Sequence, residues 1–438
     1  MKNSLKGSPW LAVGFIGLFV SQGRGNEALD LLEGKITEDE VTVTELLQKE
    51  DAGEEGADAE EEQKKTLVDD RDYSSRWKNR LAPLGMVYEN ETNPVVQRVA
   101  IDGLAEWGLA NGDIDPKAGS SQKIDDNQLK RVRLGGMMRA FYNTDLEGRV
   151  VGDGDGYQGI DTLKATVQVN EALKVEAGKF RPPFSQEYRQ DPNVRIAPGL
   201  SPIVAQVAPA NTVGVRVSAE NGPWEMGLGW FSGKQDQNIP ELGGGFVLAN
   251  LSYTFDGEKV VDSSDEDAVT PPGHQRWHLD YLYNTSEDVN GSVPNGYKHL
   301  LSTGIEVSSG NFDFGGDFIV ANGDVDTAWG MTLTGRYWIL EDALRFVGRY
   351  NYADTDDAGG LSVGYGVPGA LGDSTQPLLG YSTVLSGDEY HSFYAGLDWH
   401  FVEDYLMLST GLELKLLKDE TNGDTSSLLW HTGGRVAF

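Results

Sequence analysis

The side chains that carry most solution chemistry are missing or badly spaced in this sequence. There is no cysteine, which removes disulfides, thiolate metal sites and cysteine nucleophiles. His274, His278, His299, His391, His400 and His431 show no zinc-ligand spacing. Asp153, Asp155 and Asp161 in DGDGYQGID are similar to a calcium loop, but Tyr157 stands where a ligand should be and the bidentate Glu is missing. The stretch reads as an acidic loop. No glycine-rich phosphate loop opens a helix, and no nucleophile elbow appears. The expectation is therefore no enzyme, no cofactor, no metal and no catalytic residue.

What remains is arginine at alternate positions, and alternation requires strands. From Val95 onward apolar residues recur with period two: Trp224, Met226, Leu228 and Trp230 alternate with Glu225, Gly227, Gly229 and Phe231. Sixteen such segments follow, near 95–109, 127–142, 145–151, 160–169, 172–179, 211–219, 224–232, 246–255, 275–284, 298–308, 311–321, 328–339, 343–353, 390–402, 405–418 and 427–438. Most approach the roughly 9–11 residues with which a tilted strand crosses a bilayer. Their joins alternate between tight turns, such as Asn143–Thr144 and Asn170–Glu171, and long stretches, such as 180–210 and 354–389. A soluble sandwich or propeller has no reason to alternate join length, whereas an outer-membrane barrel does. One join breaks the rule: 256–274 is long and acidic where a tight turn is expected. Aromatic strand ends such as Trp277, Tyr283, Tyr337 and Tyr352 suit interface girdles.

Composition agrees with that class. Hydrophobic residues are 39% of 438, Gly numbers 55, and 68 acidic against 36 basic residues give a net charge of −32, which argues against nucleic acid as a partner. Residues 1–25 read as a signal peptide: Lys2 and Lys6, the apolar run Trp10 to Val20, then small residues around Gly23 and Gly25. Asn26 to Asp72 holds 18 acidic and 5 basic residues, and residues 26–75 read as an acidic, partly helical, partly disordered periplasmic segment. Residues 76–438 form the third unit, an all-β transmembrane antiparallel barrel of about 16 strands in the outer membrane. Leu428, Trp430, Thr432, Gly434, Val436 and Phe438 share one face of its last strand, and the terminal Phe438 looks like the assembly signal of outer-membrane proteins. The partners this implies are outer-membrane lipids and the barrel-assembly machinery.

Three segments in order, LKRVRLGG (129–136), AGKFRPPF (177–184) and TVGVRVSAENGPWEMGLGWFSG (212–233), together with the terminal Phe, resemble the phosphate-selective porin family of Gram-negative outer membranes. LDLLEGKITEDEV (29–41) is similar to the segment preceding many barrels of that group. The resemblance implies a sixteen-stranded homotrimeric porin for small, often anionic solutes. The chain departs from the best-known phosphate-specific members in its acidity, and their lysine cluster does not align onto it.

If the apolar set of each strand faces lipid, the alternate set faces the lumen. Arg131, Arg133, Arg139, Arg216, Arg336, Arg345 and Arg349 then point inward, opposite an acidic wall of Asp280, Glu306, Asp313 and Asp317. Arginine stays charged and offers fixed donors to a passing carboxylate or phosphate. The stretch 180–210 adds Arg181, Arg189 and Arg195 among six prolines, a stiff basic loop suited to narrowing a channel. The alternative role for these arginines is pairing with lumenal acids such as Asp102, Glu106 or Glu225. The expected function is passive diffusion of small hydrophilic solutes, anionic or neutral, with mild anion preference. The competing readings are a non-conducting structural outer-membrane protein that tethers the envelope, and a barrel-embedded lipid hydrolase.

Overall fold

The structure, a computed structural model, describes residues 85–117, 119–189, 199–233, 244–255, 275–285, 297–323, 327–356, 360–368, 381–402 and 405–438. The signal-peptide and acidic segments, Arg195 and residues 256–274 lie outside them.

All sixteen expected strands are present. In chain order they are β2 (Val96–Pro116), β3 (Gln122–Ala140), β4 (Thr144–Asp153), β5 (Gly156–Asn170), β6 (Leu173–Phe180), β7 (Thr212–Asn221), β8 (Trp224–Phe231) and β9 (Phe246–Thr254). There follow β10 (Gln275–Asn284), β11 (Tyr297–Ser309), β12 (Phe312–Gly323), β13 (Thr327–Leu340), β14 (Leu344–Thr355), β17 (Glu389–Val402), β18 (Leu406–Lys418) and β19 (Thr425–Ala437). Each pairs antiparallel with the next, and β19 pairs back onto β2 from Thr425↔Pro116 to Ala437↔Leu104, which closes the barrel. A short β1 (Met86–Glu89) lies against the start of β2. Phe438 exchanges two backbone hydrogen bonds of 3.0 Å with Gly103, and a Cβ on Gly103 would collide with the Phe438 ring.

The long join 256–274 does not disturb the count. Trp224 lies opposite Tyr253 and Arg276 opposite Thr254, so this join leaves from the same rim as the tight β7–β8 turn.

Which face meets lipid follows from an inversion of ordinary burial. On β18, Leu412, Leu414 and Leu416 are exposed while Glu413 and Lys415 between them are buried. On β8, Trp224, Met226, Leu228 and Trp230 all point out. In water this would strand apolar surface outside and charge inside; in a bilayer it is the required arrangement. No helix among the described residues is long and apolar enough to cross a membrane.

Two segments depart from a simple ring of strands. Residues 181–211, joining β6 to β7, carry α1 (Gln186–Arg189) and α2 (Pro202–Val207). Pro202 suits the first helical turn because its missing N–H has no intrahelical partner to lose. Residues 356–388, joining β14 to β17, carry a hairpin of β15 (Leu361–Tyr365) and β16 (Thr383–Gly387). Both turn inward. Ile203, Val204 and Val207 of α2 and Leu361, Val363 and Tyr365 of β15 share one apolar cluster with Ile319, Ala321, Ala328 and Ala353, which face inward from β12, β13 and β14.

Candidate pore and its charged lining

The inward face of the wall is where the sequence placed its arginines, and most of them meet carboxylates there. Arg131 Nε donates to Glu106 Oε2 at 2.9 Å, and Arg435 Nε donates to Glu106 Oε1 at 2.9 Å. Lys130 is the extra residue of a β-bulge, since Glu106 lies opposite Arg131 and Trp107 opposite Leu129. Its ammonium is 4.0 Å from the same Glu106. Arg133 pairs with Asp161 at 2.6 Å, and Arg139 with Asp145 at 2.8 Å. Arg216 reaches Glu176 at 3.0 Å and Glu225 at 3.6 Å. Arg345 meets Asp398 at 3.2 Å, and Arg336 stands directly across from Asp313 on the neighbouring strand.

A second group of charges holds the inward segments. Asp280, fully buried on β10, accepts the Ser185 amide at 2.9 Å, an Asn250 amide hydrogen at 2.8 Å, and the Arg189 guanidinium. Asp317 on β12 accepts the Glu187 amide at 3.0 Å and lies 2.9 Å from His278. Thus Asp280 and Asp317, two of the four residues of the expected acidic wall, are where residues 181–189 attach. Arg181 stays close to its own segment, donating to the Tyr188 carbonyl at 3.2 Å with its guanidinium 4.7 Å from the Tyr188 ring centre.

Further round the wall, one carboxylate gathers three cationic or ionisable partners. Glu413 of β18 is 3.4 Å from Lys415, 3.3 Å from His431 and 3.9 Å from Arg349. Arg349 donates to the Gly199 carbonyl at 2.6 Å and lies 3.6 Å from Glu187, so it touches the α1–α2 segment. Lys415 donates to the Gly364 carbonyl at 2.9 Å, with its ammonium 5.1 Å from the Tyr365 ring centre, so it touches the hairpin. Asp126 and Gln128 of β3 bind the same hairpin through the Val367 amide and carbonyl, at 2.9 and 2.7 Å. The two inward segments also meet, Gln206 donating to the Gly360 carbonyl at 2.9 Å.

Lys415, Glu413, Asp126 and the hairpin were not among the expected site residues. The alternation of Leu361, Val363 and Tyr365 behind Gly359–Gly360 was a legible strand signal; the partners of the hairpin were not. No group of three or more His, Cys, Asp or Glu among the described residues is placed to hold a metal ion.

A closed sixteen-strand barrel, apolar outside and charged inside, with a stretch of sequence recognisable by family, settles the class. Residues 107–255 match the model of the family Phosphate-selective porin O and P. The porin barrel is similar in fold to an anion-selective porin from Comamonas acidovorans, at 12% identity and a TM-score of 0.50, covering 78% of this chain and 99% of that one. The outer membrane channel DcaP of Acinetobacter baumannii (12% identity, TM-score 0.49, 80% and 100% covered) is also similar. So is Pseudomonas putida OprB (10% identity, TM-score 0.49, 82% and 96% covered). No curated protein matches the chain. The porin is an outer-membrane protein, and its fold and the family model that it matches point to a channel rather than an enzyme.

Proposed function

We propose that this porin passes small hydrophilic solutes by passive diffusion with mild preference for anions. Residues 1–25 serve as its signal peptide, residues 26–75 as a periplasmic segment, and three copies assemble, as the family resemblance implies. The supporting observation is the inward face itself, where several cationic groups crowd single carboxylates: Lys130, Arg131 and Arg435 around Glu106, and Arg349 and Lys415 around Glu413. Charges on the acidic segment 26–75 are screened over about 8 Å at physiological ionic strength, while charges inside a low-dielectric wall are screened less. The local sign therefore prevails over the net charge of −32.

Arg131, Arg133, Arg139, Arg181, Arg189, Arg195, Arg216, Arg336, Arg345 and Arg349 supply the basic lining of this reading. Those paired with acids set a fixed field and a fixed wall geometry, and a solute that exchanges briefly for a carboxylate partner finds weak, serial sites. The test is single-channel recording across a potassium chloride gradient. Anion preference, strongest at low salt, is expected. A channel preferring potassium at low salt overturns the selectivity, and absence of conductance returns the protein to the structural class.

A further inference from the structure

The charges on the inward face are not all satisfied alike. Glu147, Glu176 and Glu225 each bridge two bases, so that from Arg149 on β4, through Lys164 and Arg216, to Arg276 on β10 the side chains join in one unbroken chain of ion pairs. Acid and base alternate along it, and each charge is already answered.

Where β13, β14 and β17 adjoin, the inward face differs. Arg336 Nε, Arg345 Nε, the Tyr394 hydroxyl and Asp398 Oδ1 are buried there without a hydrogen-bond partner. Among the described residues Arg336 makes no hydrogen bond and no ion pair at all. The strand registers bring these groups together: Arg345 lies opposite both Trp338 and Asp398, and Arg336 is two residues before Trp338 on β13. A Cβ on Gly396 would collide with the Tyr394 hydroxyl, so that hydroxyl lies over the residue two short of Asp398. Arg345 meets Asp398 through one nitrogen at 3.2 Å, with its guanidinium 5.0 Å from the Trp338 ring centre. Asp313, opposite Arg336, and Glu306 on β11 add negative charge within electrostatic range.

Buried polar groups in native proteins are almost always paired, and donors and an acceptor orphaned in one place ask for a ligand that carries both. A bare anion reaches two guanidiniums here but also faces Asp398, Asp313 and Glu306. A bare cation meets the same mixture with its sign reversed. A solute bearing both charges matches the whole set.

We propose that this stretch of the lumen wall is a subsite for small zwitterions of the amino-acid class. The carboxylate takes hydrogen bonds from Arg336, Arg345 and the Tyr394 hydroxyl, the ammonium donates to Asp398, and the Trp338 ring gives the alkyl side chain an apolar surface. The inference rests on the reading that small hydrophilic solutes enter this lumen, and not on the sign of the selectivity. Arg336 is its most specific residue, since it has no partner in the wall to hold.

The test uses the full chain in detergent micelles, with binding read by saturation-transfer NMR and L-valine as the probe. Valine should bind about tenfold more tightly than isovalerate, which lacks the ammonium, or isobutylamine, which lacks the carboxylate. Arg336→Gln removes no ion pair, so the barrel should fold as before, and valine binding should weaken about tenfold. Asp398→Asn should instead narrow the lead of valine over isovalerate. Lys164→Gln, in the saturated chain across the lumen wall, should leave binding as it was. In planar bilayers valine carries no net charge, so it should lower the chloride current of the wild type and not that of Arg336→Gln. Equal binding of valine and isovalerate, full binding by Arg336→Gln, or equal loss in Lys164→Gln would each overturn the subsite. A channel that conducts without binding valine sinks the subsite and leaves the porin reading, whereas valine binding to a protein without conductance does the reverse.

Discussion

One anchor point on each inward segment, residues 181–189 on the first and Gly364 on the second, is fastened to the wall in the opposite electrical sense to the other. Residues 181–189 hang on carboxylates: Asp280 and Asp317 accept the backbone amides of Ser185 and Glu187, and Asp280 also takes the Arg189 guanidinium. The hairpin of β15 and β16 is held at Gly364 by the Lys415 ammonium, which donates to the Gly364 carbonyl, with neutral and acidic help from Gln128 and Asp126 at Val367. Both segments end in the same apolar cluster. The difference teaches that charge on this wall fastens chain segments as well as pairing strand to strand, and that sequence position does not reveal which of these a given residue does.

That contrast can be broken most severely at Asp280. Asp280→Asn leaves Arg189 without its buried counter-charge, a change of the kind that costs about 3–5 kcal/mol. Residues 181–189 should come loose, with a lowered urea midpoint in detergent and a raised, noisier conductance. Adding Arg189→Gln should recover part of the stability, and no recovery would show that the pair is not the fastening. Next in size is Lys415→Met, which removes a charge-assisted hydrogen bond worth about 1.5–3 kcal/mol. Amide exchange should quicken across 361–365 while Ser185 and Glu187 keep their protection; equal loosening of both segments would mean that they move as one unit.

A smaller effect is expected from Arg345→Gln with Arg349→Gln. The anion-to-cation permeability ratio should fall on the order of twofold at low salt, because lumenal charge sets the local field. Since Arg349 also holds Gly199, the Arg345→Gln single variant separates selectivity from fastening, and an unchanged reversal potential there would remove Arg345 from the conducting lining. The smallest effect belongs to Asp126→Asn, which keeps an acceptor for the Val367 amide and should cost about 0.5–1.5 kcal/mol, visible as a slight shift in thermal midpoint with conductance unaltered.

The strands were legible because period-two alternation and alternating join length are independent signals that agree along most of the chain, the long join 256–274 being the exception. Their ends were less so: β2 runs to Pro116 and β3 starts at Gln122, beyond the expected 109 and 127, since Asn111, Asp113 and Asp125 carry no apolar signature. Which lumenal charges fasten segments was not legible at all. Arg189 and Asp280 lie 91 residues apart, and Arg349 and Gly199 lie 150 apart, so their meeting depends on how chain segments cross the lumen. The hairpin differs: the alternation of Leu361, Val363 and Tyr365 signals its first strand, but so short a strand within a long stretch does not tell what it will pair with or touch.

The seam between β19 and β2 has a consequence for how the ring is made. Arg435 and Glu106 meet there across 329 residues of chain, so every other strand pair can form by local zipping while this one waits for the ends of the sheet to find each other. Until then β2 and β19 are open edges, with the hazard of pairing to a stranger. Arg435 acts as a proofreader of that closure. A slip of one residue along the seam would turn its guanidinium away from Glu106 to the outer face of the wall, leaving the buried carboxylate short of a partner, and so the correct register announces itself electrostatically as the last strand docks.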